Sequence, residues 1–274
     1  MMNSGQKNKI QIIAEIGWNH CGDMELAKAM ARAAKNNGAT YAKYQTWSVS
    51  RLKAGEWDID GRREIYEQAE LTKERHEELI SYCNEIGIEF LSSVFSIDDA
   101  NLLISLGCKA VKIPSFESRN HDLIKYCNDN FDIVFMSTGT STLEEIKESI
   151  SYFTKATLYL MHCVSVYPGE YKIANLPKMI ELQKIHTLVG YSDHIQGIDS
   201  AKIAIGKGAI VIEKHFTTDN NLPGRDNKFA ILPRDLFDLY KYISYINEMM
   251  IDHGTGYNEL EKNSRINYTG RFNG

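Results

Sequence analysis

The 274-residue chain is 43% hydrophobic and 24% charged, with 31 basic against 36 acidic side chains. That is a globular composition and excludes a disordered or low-complexity chain, while a net charge of -5 argues against nucleic acid or an anionic membrane as partner. Five cysteines without a CxxC pair give no disulfide framework or zinc ribbon, and the opening MMNSGQKNKI holds no apolar signal core, so a soluble, cytoplasmic chain is expected.

Eight short apolar runs recur along the chain: Ile10–Ile16, Tyr41–Gln45, Glu89–Ser93, Ala110–Ile113, Ile133–Ser137, Thr157–Met161, Leu188–Gly190 and Ile210–Glu213. Most are nearly continuous in Ile, Val, Leu, Phe or Tyr, the pattern of parallel strands covered on both faces. Between them lie stretches of helical spacing. Met24–Asn36 follows Asp23, a capping residue, and stops at Gly38; Thr72–Ile86 stops at Gly87; Ile97–Leu106 stops at Gly107. Thr142–Phe153 opens with Thr142 and Glu145 at capping-box spacing, and Pro233–Met250 starts on a proline, whose missing N–H costs nothing in a first turn. The alternation predicts an α/β fold, a single-domain (β/α)8 TIM barrel over residues 1–253, followed by a polar tail over 254–274. A doubly wound sheet competes, but its Gly-rich first turn is missing: the turn reads EIGWNHCGD. The segment Thr46–Leu71, with Trp47, Trp57, Arg62 and Arg63, is too long for a simple connection and is expected to be a binding loop or a lid.

Barrel enzymes place their chemistry at the carboxyl ends of the strands. Every expected strand delivers polar residues there: Glu15; Lys43 and Gln45; Ser92 and Ser93, followed by the apolar Phe95; Lys112, Ser115 and Glu117; Ser137; His162, Ser165 and Tyr167; Ser192, Asp193 and His194; Glu213, Lys214 and His215. Such charges are costly inside a barrel unless paired or solvated, so their gathering at one rim favours a polar mouth. Taken singly, Lys43 or Lys112 also fits a salt bridge with Glu15 or Glu117, and His162 a hydrogen-bonded core histidine. His76, His121, His186 and His253 read as solvated. His194 and His215 follow adjacent strands, which lets two imidazoles converge on one ion with positions left for substrate and water. Asp226, on the loop after His215, faces either that ion's surroundings or the substrate. Two lysines among several hydroxyls suit a small anion such as a phosphate ester with a carboxylate.

The blocks AEIGWNHCGDMELAK, YAKYQTW, VKIPSFE, FMSTGTSTLEEI, LMHCVSVYP, VGYSDHIQGIDS and GAIVIEKHFTTDNNLPGRD, in this order, resemble the sialic acid synthase family, which makes N-acetylneuraminate, pseudaminate and legionaminate. The resemblance implies metal-dependent condensation of phosphoenolpyruvate with the open-chain aldehyde of an N-acylated hexosamine. It casts His194 and His215 as ligands of a divalent manganese or magnesium ion, and Lys43, Ser93, Lys112, Ser115, Ser137 and Ser192 as the phosphoenolpyruvate cradle. Gln45, Phe95, Tyr167 and Asp226 would border the sugar, and Glu15 and Glu117 would transfer protons or orient water. Departures from the family pattern are Val94 for a proline, Ser165 for an asparagine that would meet substrate, and Pro114 and Phe116 for small residues. Relatives carry a further domain that caps the partner's site and supplies an arginine. The sequence stops short of it, so either a homodimer of barrels or a separately encoded capping domain is expected, with Arg225 of LPGRD standing in for that arginine. Two other readings stay open: a 3-deoxy-sugar-acid synthase acting on a sugar phosphate, and a non-catalytic barrel serving a surface-polysaccharide pathway.

Overall fold

The computed structural model describes residues 10–273, apart from the side chain of Trp57; the first nine residues, scanned above for a signal core, lie outside them. Eight strands, β1 (Gln11–Gly17), β2 (Tyr41–Thr46), β3 (Glu89–Val94), β4 (Ala110–Ile113), β5 (Ile133–Ser137), β6 (Thr157–Cys163), β7 (Val189–Asp193) and β8 (Val211–His215), close in sequence order into a parallel barrel. The expected (β/α)8 barrel is therefore the fold, and the doubly wound alternative falls. Around it run α1 (Met24–Asn36), α2 (Arg62–Ala69), α3 (Lys73–Ile86), α4 (Ile97–Ser105), α5 (His121–Asn130), α6 (Leu143–Ser151), α7 (Leu176–Ile185), α8 (Asp199–Gly206) and α9 (Pro233–Met249), with a short α10 (Lys262–Asn267) in the tail.

Local chemistry starts several of these helices where the sequence says they start. Asp23 accepts from the Leu26 amide, Thr72 from the Arg75 amide, and Thr142 and Glu145 form a reciprocal capping box. By contrast α7 and α8 begin without a capping side chain; their buried Met179, Leu182, Ala201 and Ala204 pack on the barrel, so tertiary burial forms them. The segment Thr46–Leu71 is not an open loop. It folds into two 3-10 turns and α2, and lays Trp47, Val49 and Ala69 against Trp18.

The strand period of two splits the barrel's residues into two sets. Ile12, Ala14, Ala42, Tyr44, Val111, Val134 and Ile212 face the helices in the main apolar core. A second cluster, Ile13, Tyr41, Leu91, Phe135, Met161 and Val211, fills the barrel's inside. Two residues further along the same six strands stand Glu15, Lys43, Ser93, Ser137, Cys163 and Glu213. A dry plug thus lies directly beneath a polar layer. The register sets its members side by side: Glu15 beside Lys43 and His215, Ser93 beside Lys112, Ser192 beside Glu213.

Candidate active site

Above the plug the barrel opens into a cavity of about 380 Å³. Of the sixteen residues expected at the site, fifteen line it: Glu15, Lys43, Gln45, Ser93, Phe95, Lys112, Ser115, Glu117, Ser137, Tyr167, Ser192, His194, His215, Arg225 and Asp226. Ser165 does not. It follows β6, within 3.9 Å of the Cys163 thiol, and is not part of the wall.

The floor is a chain of alternating charges. Lys43 Nζ donates to Glu15 Oε2 at 2.5 Å and Gln45 donates to the other oxygen at 2.6 Å. Lys112 Nζ donates to both oxygens of Glu213 at 3.0 Å, Ser192 Oγ donates to Glu213 at 3.0 Å, and Lys43 lies 3.9 Å from the same carboxylate. All four charged groups are buried. Lys43 pairs with Glu15, one of the expected partners, but Lys112 takes neither Glu15 nor Glu117. Glu213, two residues before His215 and so on the same inward face, is its partner; that shared parity was the available signal. Glu117 sits on the 3-10 turn after β4 and accepts from Asn120 at 2.8 Å.

These surroundings set the ionisation of the floor. Burial raises Glu15 above the usual carboxylate range against the pull of Lys43. Burial also disfavours the Glu213 carboxylate, but Lys112 and Lys43 outweigh it and hold the group down at about 2. Burial lowers Lys112, opposed by Glu213.

Not every polar residue at the rim faces the cavity. Asp193 and Lys214 have the opposite parity: Lys214 Nζ donates to Asp193 at 3.0 Å, and Ser200 donates to the same carboxylate at 2.6 Å. They tie β7 and β8 to α8. Ser92 likewise joins Thr46 on the outer face at 2.7 Å. His76 is not solvated; it is fully buried, with Nε2 2.8 Å from Thr46 Oγ1. His186 is half-buried and bonded to the Leu158 carbonyl at 2.8 Å. His162, as expected, is a core histidine, 2.8 Å from the Ala174 carbonyl.

His194 and His215 stand on adjacent strands' ends with ring centres 5.4 Å apart. Two imidazoles on one tetrahedral ion have centres roughly 5 Å apart, given a metal–nitrogen bond of about 2.1 Å. His194 Nδ1 donates to the Val164 carbonyl at 2.9 Å, which leaves the Nε2 lone pair for a cation. His215 Nδ1 is buried without a hydrogen bond, 3.6 Å from Asp226 Oδ2, and burial lowers this imidazole to about 3, keeping it neutral as a ligand must be. Among the described residues no three His, Cys, Asp or Glu side chains cluster to hold a metal. By ring spacing alone the pair could give two nitrogens to a divalent ion, whose remaining ligands would have to come from substrate and water. The Cys163 thiol lies 3.8 Å from His194 Nδ1. Burial works against charge on both, but each favours the other's charged form, so the thiol is lowered and the imidazole raised; a cation on His194 Nε2 would have to displace that proton.

Toward the mouth the wall becomes aromatic. Tyr167 lies on the His194 ring at 4.1 Å, and the Arg225 guanidinium sits 5.6 Å over Tyr167. Trp18 donates its indole N–H to Asp226 at 2.7 Å. Glu213, expected at the rim without a role, and Trp47, Leu52 and Tyr66 of the expected binding loop also line the cavity, together with Trp18, Pro114, Phe116 and Cys163, which were not expected there. Strand parity with Met161 marks Cys163; the loop residues carry no such signal.

Residues 30–255 match the NeuB family. The chain belongs to the NeuB family. It is 38% identical over 251 residues to the N,N'-diacetyllegionaminic acid synthase of Legionella pneumophila, spanning 85% of this chain and 70% of that protein. It is also 32% identical to the pseudaminic acid synthase of Campylobacter jejuni, over 84% of this chain and 71% of that one. A crystal structure of N-acetylneuraminic acid synthetase from Leptospira borgpetersenii, in complex with citrate, superposes with a TM-score of 0.86 at 29% identity, covering 100% of this chain and 97% of that one. Within this NeuB-family barrel no helix among the described residues is long and apolar enough to cross a membrane.

Proposed function

We propose that this synthase condenses phosphoenolpyruvate with the aldehyde of an unphosphorylated N-acylated hexosamine, consuming one water and giving a nonulosonic acid and inorganic phosphate, with manganese or magnesium held by His194 and His215. The observation that carries the reading is the buried chain Glu15–Lys43–Glu213–Lys112 beside the two imidazoles at the strands' carboxyl ends. The names of the relatives, synthases of diacetyllegionaminic, pseudaminic and N-acetylneuraminic acids, supply the product class.

Lys43 and Lys112 provide point charges for the phosphate and carboxylate of phosphoenolpyruvate, and Ser93, Ser115, Ser137 and Ser192 complete the oxygens' hydrogen bonds. Ser137 Oγ is buried with no partner of its own, as suits a donor kept for a ligand. A bound divalent ion would polarise the aldehyde oxygen as a Lewis acid. Glu15, raised by burial, is the better proton-transfer group of the two glutamates, because it stands on a strand end beside Lys43 and His215, whereas Glu117 lies on the 3-10 turn after β4. Holding the enol carbon against the aldehyde on rigid strand ends gives the orientation benefit that lowers such barriers. At the mouth Phe116 is 58% exposed, surface that a second copy or a separate capping domain would cover.

The test is phosphate release from phosphoenolpyruvate with a panel of acylated hexosamines, with manganese and with chelator. Turnover that needs both metal and acceptor is expected. Metal binding is read separately: His194→Ala and His215→Ala should each weaken manganese affinity in titration calorimetry. Metal-independent turnover, or affinity unchanged in both variants, refutes the assignment.

A further inference from the structure

The cavity has two ends of different chemistry. The two lysines that line the cavity, Lys43 and Lys112, belong to the floor, each held by a carboxylate. Trp18, Trp47 and Tyr66 make one wall: Trp18 and Tyr66 stack at 5.3 Å with planes 17° apart, and Trp47 meets Tyr66 edge-on at 5.8 Å. This wall adjoins the imidazole pair through Asp226, which accepts from Trp18 and lies 3.6 Å from His215. It therefore borders the place where the acceptor's aldehyde would lie, not the anion cradle. Leu52 and Phe95 extend the same apolar surface.

The wall offers little to a second phosphate. Apart from the floor lysines and the two histidines, Arg225 is the cationic side chain among the described lining residues, and it lies on Tyr167 with Nε 3.6 Å from Asp226. The insertion's arginines are engaged elsewhere: Arg51 with Asp99, Arg62 with Asp60 at 2.6 Å, and Arg63 with Asp58 at 2.6 Å and Glu67 at 2.9 Å. An anionic group at this end would meet the Asp226 carboxylate, with no free cation to balance it. An apolar substituent would instead bury against three aromatic rings.

We propose that Trp18, Trp47 and Tyr66 form a specificity subsite for the acceptor, one that takes an apolar substituent of the sugar, an acylamino methyl or a deoxygenated carbon, and turns away a phosphate ester. The subsite rests on the condensation proposed above and deepens it. Tyr66 holds the wall together, since both indoles pack on its ring. Its source is the insertion helix α2, so substrate choice is set by a βα connection far longer than the barrel requires.

The experiment compares three acceptors, with phosphoenolpyruvate and manganese supplied: an unphosphorylated hexose bearing two acetamido groups, N-acetylmannosamine, and its 6-phosphate. Wild type should rank them in that order by kcat/KM. Tyr66→Ala should lower the preference for the first over the second about ten-fold, chiefly through the acceptor KM, as loss of an apolar pocket contact does. Tyr66→Phe, which keeps the stack, should retain it, and the KM for phosphoenolpyruvate should stay unchanged. Trp47→Leu provides the same reading should Tyr66→Ala fail to fold. Best turnover with the 6-phosphate, or an acceptor ratio unchanged in both variants, overturns the subsite alone. No turnover of any acceptor by wild type strikes instead at the function on which it rests.

Discussion

Glu213 and Lys112 form the pair whose removal is most informative. Lys112 Nζ is 3.0 Å from both carboxylate oxygens, and neither residue is more than 5% exposed. At that distance and an effective dielectric of ~20 the attraction is about 5 kcal/mol, before desolvation is set against it. Removing one partner strands the other, which costs roughly 3–5 kcal/mol in buried pairs, whereas removing both together costs far less. The electrostatics agree in direction: Lys112, with Lys43 and Ser192 beside it, holds the Glu213 carboxyl down at about 2 against burial, a shift of about 3 kcal/mol that the two lysines share. Because that value is depressed on folding, the contribution is complete above pH 4.5 and is lost as pH falls toward 2. Urea unfolding of Glu213→Gln, Lys112→Met and the double variant at pH 7 should therefore yield a coupling energy of about 3 kcal/mol. The urea m-value should be the same in all three, so that midpoints report stability. A coupling below about 0.5 kcal/mol, the scatter of independent sites, would refute the reasoning and make the two groups separate binding residues.

Three further outcomes follow from the same geometry. His20 is fully buried, and burial, with Arg75 nearby, lowers it from 6.5 to about 4; between those values the unfolded chain takes up a proton that the fold refuses, so stability falls with pH across that window by about 3 kcal/mol. Urea midpoints of His20→Gln between pH 7 and 4 should be visibly flatter, and an unchanged pH slope contradicts this. A Cβ on Gly22, which has φ +85°, would lie 2.1 Å from the Gln68 carbonyl of α2, so Gly22→Ala should cost about 1–3 kcal/mol and change the near-ultraviolet signal of the Trp18–Tyr66 stack; a wild-type melting temperature and spectrum would show that α2 is not seated there. Arg225→Ala should raise the acceptor KM while that for phosphoenolpyruvate holds, whereas no change leaves Arg225 an ordinary surface residue.

The barrel was legible because its signals are local and repeated. Nearly continuous apolar strands, Asp23, Thr72 and Thr142 as caps, and glycines closing helices each constrain a few neighbouring residues, and eight repetitions leave one closed topology. Fifteen of the residues lining the cavity were legible for a related reason. Strand ends sit at fixed places in such a barrel, so polar residues there are brought together whichever loops follow.

What sequence alone left open was decided by direction and distance. Strand parity separates Glu213 from Lys214 and Cys163 from His162, yet which partner Lys112 takes depends on strands 101 residues apart in the chain. His76 reads as a surface histidine of an amphipathic helix until Thr46, 30 residues away, closes over it. The segment Thr46–Leu71 shows no strong helical period, and its helix is held by Trp18 and Trp47 packing on Tyr66. Sequence thus determined the strand order, the rim and the residues delivered to it, because those follow from short-range periodicity. The charge pairing on the floor and the aromatic wall were decided by tertiary structure, since burial and electrostatics depend on neighbours that the chain brings together only when the barrel closes.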